Sequence, residues 1–262
     1  MSLPQELKAR ESIHDFIIKL ASKLKLDGPT ILAATIYVNR FYMRMPISSS
    51  KYFVASAAVA ISCKLNDTYR VPDKIALSAC NLKNPNPAVP IDEQSDMFWR
   101  WRDQLLYREE MMLKTLNFDL NLELPYEIRD ELLSIQDPDD TSGFHKKKAD
   151  ILKNTVSLLE VISSLPVLVC YDIYTLFGTL MIAVILEGRI KFDDDSLILP
   201  ENYMIRNLGV EMELCWLCYK YIIKLLKASE EDPAVISNKV AGKRLREVTE
   251  EAFMSTVKNA SI

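Results

Sequence analysis

The sequence predicts an all-α protein of two tandem five-helix repeats with flanking terminal helices, and three observations lead there. Glycine is scarce, six in 262 residues, while Leu, Ala, Glu, Lys and Met abound. Glycine serves tight turns and phosphate loops, whereas the abundant residues are strong helix formers. Apolar residues recur at helical spacing along most of the chain. Two stretches, residues 52–63 and 173–186, carry no charge at all, and a helix apolar on every side belongs at the centre of a bundle.

The elements follow in order. Ile13, Phe16, Ile17, Leu20 and Leu24 form one helical stripe, ended by Leu26, Asp27 and Gly28. Pro29 suits the first turn of a second helix, where its missing N–H costs nothing. Ile31, Ala34, Val38, Phe41 and Met45 line that helix, and Pro46 stops it. Serines 48–50 offer an N-cap for the charge-free third helix. A short helix follows Pro72. Residues 81–96 hold Pro85, Pro87 and Pro90 and read as a long loop. A long fifth helix, about 97–116, carries Phe98, Trp101, Leu105, Met112 and Leu116.

The second half repeats the pattern. Pro125 opens a helix to about residue 135, and residues 137–143 read as a surface loop. Ala149, Leu152, Val156, Leu159 and Ile162 make an amphipathic stripe that ends before Pro166. The charge-free 173–186 helix, a short helix after Pro200 and a long helix at about 211–227 complete it. The order amphipathic, amphipathic, buried, short, long thus occurs twice. It divides the chain into 1–122, 123–230 and a tail, 231–262, in which 239–258 could form one more helix.

Composition excludes several function classes. A net charge of −4 and a pI of 5.4 offer no overall basic face, which argues against direct nucleic-acid binding. The five cysteines are odd in number and mostly lie in apolar runs, as expected in a reducing compartment. The N-terminus opens no secretory h-region, and 14 uncharged residues at 173–186 fall short of a bilayer span. No membrane association is expected.

No catalytic constellation stands out. His14 and His145 are the only histidines, and no phosphate-loop, zinc-protease or nucleophile-elbow motif occurs. Cys215-Trp216-Leu217-Cys218 has no second ligand pair at zinc spacing and reads as core packing. Asp193-Asp194-Asp195 lacks the spacing of a calcium loop. Lys146, Lys147 and Lys148 are offset by Asp139, Asp140 and Asp150. The expectation is no metal, no cofactor and no enzymatic activity. Lys64 alone reads as a lysine complementing a helix C-terminus, and Glu109 as a helix carboxylate.

Residues 34–43 (ATIYVNRFYM), 57–68 (AAVAISCKLNDT) and 109–120 (EEMMLKTLNFDL) resemble the second, third and fifth cyclin-box helices of the transcriptional cyclins, especially the K and T types. Residues 185–189 (ILEGR) resemble the end of the third helix in the second repeat. The match runs in order over about residues 8–228. The resemblance implies a regulatory subunit, not itself catalytic, that binds and activates a cyclin-dependent kinase catalytic subunit. The kinase would act on the C-terminal repeat domain of RNA polymerase II in the nucleus and promote elongation. The resemblance implies that Lys64 and Glu109 lie together and engage the kinase around its regulatory helix. By the same alignment Ile61, Leu65, Asp67, Leu113, Phe118 and Leu120 match positions that receive that helix. Residues 81–96 resemble the extended connection between the fourth and fifth helices. Two features depart from the family: Asn66 stands where an acidic residue is usual, and the substrate-docking signature of cell-cycle cyclins is absent from residues 9–20. The alternative is a DNA-bound adaptor like transcription factor IIB, also built on cyclin repeats; it needs a zinc ribbon and a basic face.

Overall fold

The computed structural model describes residues 1–48, 50–135, 143–192, 194, 196–230 and 245–257. The expected loop at 137–142, Asp193 and Asp195 of the acidic turn, and residues 231–244 and 258–262 of the expected tail lie outside the described residues. The chain divides into two compact units, Glu6–Leu122 and Glu123–Ile262, the latter including Met1–Gln5.

The first unit is built from α1 (Leu3–Leu24), α2 (Gly28–Tyr42), α3 (Lys51–Leu65), α4 (Pro72–Leu82) and α5 (Asp96–Thr115). Helix α3 packs against α2 and α5, and α4 packs on α5. Every α3 residue from Val54 to Cys63 is buried. Its alanines, Ala55, Ala57, Ala58 and Ala60, leave room for large neighbours: Ile17 and Leu20 of α1, Tyr37 and Phe41 of α2, and Trp101, Leu105 and Met112 of α5. Trp101 also meets Phe53 edge-on at 4.4 Å between ring centroids.

Local chemistry sets the helix ends. The Asp27 carboxylate accepts from the Thr30 N–H at 3.1 Å, with Pro29 beside it. Ser95 caps α5 by accepting from the Met97 N–H. The serines before α3 behave differently: Ser50 holds the cap position, but its hydroxyl bonds that of Ser48 at 2.8 Å instead of the helix. The Asn81 amide pins the loop between α4 and α5. Its Nδ2 donates to the Ile91 carbonyl and its Oδ1 accepts from the Ile91 N–H, both at 2.9 Å. One side chain thereby substitutes for a strand partner.

The second unit comprises α6 (Pro125–Ser134), α7 (Gly143–Ile162), a 3₁₀ turn (Pro166–Val169), α8 (Ile173–Phe192), α9 (Tyr203–Leu208), α10 (Met212–Glu230) and α11 (Glu250–Met254). Helix α8 packs against α7 and α10. It is long and apolar enough to cross a membrane by length and composition. Leu176, Phe177, Leu180, Met181 and Ile185 are nonetheless wholly buried inside the unit, as in a core helix. Within 239–258 the described helix is only α11. It brings Phe253 into a fully buried position beside Trp216 and Tyr219, at 5.3 and 5.2 Å. The Leu199 N–H donates to the Thr256 carbonyl at 2.8 Å, and Leu199 pairs in parallel with Val257.

Cys215 and Cys218 are buried in α10, as expected for packing residues, and burial pushes both thiols up to about 12. Burial likewise raises Cys63 and Cys80, whereas Cys170 is exposed. A thiolate is the reactive form. The native chain should therefore react with a thiol reagent at Cys170 alone, the other cysteines labelling only after denaturation. Rapid native labelling of Cys215, read by mass spectrometry, would contradict the packing of α10 on α8.

Candidate functional site

The helix pair α3–α5 brings together two residues 45 positions apart. Lys64, in the last turn of α3, donates from Nζ to Oε1 of Glu109 on α5. The Lys64 side chain is 44% exposed and that of Glu109 11%. A largely buried carboxylate that meets one exposed ammonium keeps acceptor capacity for a second donor. Leu113 lies one turn beyond Glu109 on the same helix face and is half-buried.

The chain leaving α3 extends this surface. Leu65 is 50% exposed. The Asn66 amide donates to the Ser62 carbonyl at 3.1 Å and closes the helix, so Asn66 serves as its C-cap. Asp67 follows in the left-handed region (φ 52°) and is exposed. The Arg70 guanidinium then ties the turn to the Leu24 and Lys25 carbonyls. That leaves Tyr69 and Val71 exposed. Sequence reasoning did not single out these two; their signal is apolar residues within an otherwise polar turn.

The remaining expected residues lie at and beyond the end of α5. Asn117 and Phe118 are both left-handed, at φ 54° and 57°. The Phe118 N–H donates back to the Leu113 carbonyl at 2.9 Å, closing the helix in the manner of a glycine cap. Asparagine tolerates that backbone; an aromatic residue does so at a cost of about 1 kcal/mol. The Phe118 side chain offsets little of this by packing, being 66% exposed. Leu120, half-buried, packs against the core, and its carbonyl accepts from the Tyr37 hydroxyl at 2.7 Å. Burial raises the Tyr37 phenol, which keeps it a donor. Arg40 of α2 and Arg44, just beyond that helix, donate to the carbonyls of Asn121 and Thr115.

One expected contact residue sits elsewhere. Ile61 is only 2% exposed. It is one turn before Leu65 on α3, but its side chain belongs to the core and supports the surface from beneath. Among the described residues, no group of three His, Cys, Asp or Glu side chains could hold a metal ion.

A core helix enclosed by two neighbours, with a lysine at its end paired to a carboxylate on the fifth helix, is the arrangement that the resemblance to the cyclin box implies. Residues 2–121 match the family model for the cyclin N-terminal domain. Over that region the chain is similar to cyclins, Cyclin-T proteins among them. It is 36% identical over 125 residues to Cyclin pch1 of Schizosaccharomyces pombe, covering 47% of this chain and 36% of the relative. It is 25% identical over 123 residues to Cyclin-T2 of Homo sapiens, covering 47% and 17%. A relative from Kluyveromyces lactis aligns over 216 residues at 24% identity, covering 78% and 54%. The matched region spans little more than half of these relatives' lengths at most.

Proposed function

We propose that the chain is the regulatory subunit of a transcriptional cyclin-dependent kinase and receives the kinase's movable helix at the α3–α5 surface. The observation that carries this reading is the Lys64–Glu109 pair, with Leu65 exposed next to Lys64 in the chain and Phe118 exposed just beyond the end of α5. Apolar anchors supply affinity and the charged pair supplies register. Asp67, Leu113 and Leu120 complete the surface, with Ile61 supporting it. Residues 123–230 act as a second cyclin-like repeat that follows this first one in the chain. The chain contributes no catalytic group; a partner that binds the active kinase conformation better than the inactive one shifts the population by that difference in affinity. The substrate is the C-terminal repeat domain of RNA polymerase II, phosphorylated in the nucleus during elongation.

The test mixes the purified chain with a panel of transcriptional cyclin-dependent kinase catalytic subunits and measures phosphorylation of a polymerase repeat peptide. At least one kinase should be activated. Glu109→Ala should weaken that kinase's binding about tenfold, because it strands donors on both partners. Glu109→Gln should recover part of the loss. Activation by Glu109→Ala equal to the unaltered chain would place the interface on another face.

A further inference from the structure

At the opposite end of α3, two lysines converge on one aromatic ring. The Lys51 and Lys83 ammonium nitrogens lie 5.1 and 3.5 Å from the centroid of Tyr52. Lys51 also donates to the Ser12 hydroxyl at 2.8 Å, and Lys83 lies 5.6 Å from the Phe16 ring. Lys51 comes from the first turn of α3, Lys83 from the end of α4 and Ser12 from α1. Among the described residues, neither ammonium group pairs with a carboxylate. The first turn of α3 holds no acidic residue and no side-chain cap, so the positive end of its dipole adds to the same field. Burial pushes the Tyr52 phenol up, yet the Lys83 and Ser12 hydrogen bonds and the two lysine charges outweigh it and hold the phenol below its ordinary range.

We propose that Lys51, Tyr52 and Lys83, with Ser12 positioning Lys51, bind a phosphoserine or phosphothreonine side chain of a partner polypeptide. A phosphate monoester carries a charge of about −1.5 to −2 near neutral pH, which matches two ammonium groups. A phosphodiester carries a single charge, and two lysines on an acidic chain make a poor track for a nucleic acid. The lysines give up weak ring contacts for charge-assisted hydrogen bonds, and the Tyr52 hydroxyl donates to a remaining phosphate oxygen, while Ser12, whose hydroxyl donates to the Ala9 carbonyl at 2.8 Å and accepts from Lys51, holds that lysine in place. Lys51 and Lys64 stand about 20 Å apart along α3, at 1.5 Å per residue. A phosphorylated partner here therefore leaves the α3–α5 surface open, and this site does not depend on the kinase reading.

The experiment uses the full chain, isotope-labelled, and follows its backbone amide spectrum. Four probes are titrated: a phosphoserine peptide flanked by glycines, the same peptide unphosphorylated, inorganic phosphate, and a single-stranded oligonucleotide. The phosphopeptide should shift the amides of Lys51, Tyr52 and Phe53 and leave those of Leu113 and Phe118 unmoved. The unphosphorylated peptide should shift none. Lys83→Ala and Lys51→Ala should each weaken phosphopeptide binding about tenfold, while Lys114→Ala should not. Lys83 is exposed, so its variant keeps the fold, which the same spectrum reports. Three outcomes overturn the proposal: equal shifts with the oligonucleotide, shifts with inorganic phosphate alone, or phosphopeptide binding indifferent to Lys83→Ala.

Discussion

An Ala58→Asp chain should fail to hold its native fold. Ala58 lies midway along α3, has no exposed surface, and belongs to the core of the first unit. A carboxylate there loses its hydration, and α3 supplies no cation between Lys51 and Lys64. Burying an unpaired charge costs several kcal/mol, and the carboxylate's extra volume adds overpacking in a close-packed core. Against a total stability of about 5–15 kcal/mol, that is most of the margin. Circular dichroism melts and gel filtration of Ala58→Asp beside Ala58→Ser give the answer. A monomeric Ala58→Asp chain melting within a few degrees of the unaltered one would count heavily against α3 as the core helix.

Phe118→Gly should separate binding from stability in opposite directions. Glycine adopts φ near 57° freely, so the substitution removes about 1 kcal/mol of backbone strain, part of it cancelled by glycine's larger entropy when unfolded. Little packing is lost, because the ring is exposed. On the proposed function, however, the kinase loses an aromatic anchor, which at a hot spot is worth about 2 kcal/mol or more. The expected result is an unchanged or raised melting temperature with kinase binding reduced about thirtyfold. Phe118→Ala should lose the same affinity without the backbone relief. A Phe118→Gly chain that binds and activates the kinase normally would remove Phe118 from the interface. Such a result would leave its strained backbone without a role.

The helices and their order were legible because packing here follows simple periodicity. The charge-free runs of α3 and α8 announce burial on all sides, and proline marks the first turns of α2, α4 and α6. The Lys64–Glu109 pair was not legible from pattern alone, since either residue reads as an ordinary helix charge; only the resemblance joined them. Other features depend on geometry that no local pattern carries. Ile61 and Leu65 look alike in sequence, yet one is buried in the core and the other half exposed. The left-handed backbone of Phe118 gives no signal, because aromatic residues rarely adopt it. The docking of Phe253 beside Trp216 and Tyr219 joins positions far apart in the chain, out of reach of helical periodicity.

Three side chains from α2 and the turn after it, Tyr37, Arg40 and Arg44, hold the outgoing segment of the first unit, and all three bind carbonyl oxygens. Every amino acid supplies the same carbonyl. The path of residues 115–121 is thus secured without reference to most of their side chains, and Asn117, Phe118 and Asp119 are all exposed to water. Mutations at those three positions lose little packing, the left-handed backbone at Asn117 and Phe118 being the main constraint, so under the proposed kinase-binding reading partner preference can drift while the scaffold stays put. A library randomised at Asn117, Phe118 and Asp119 should therefore yield mostly folded proteins and, if the proposed interface holds, widely differing kinase choice.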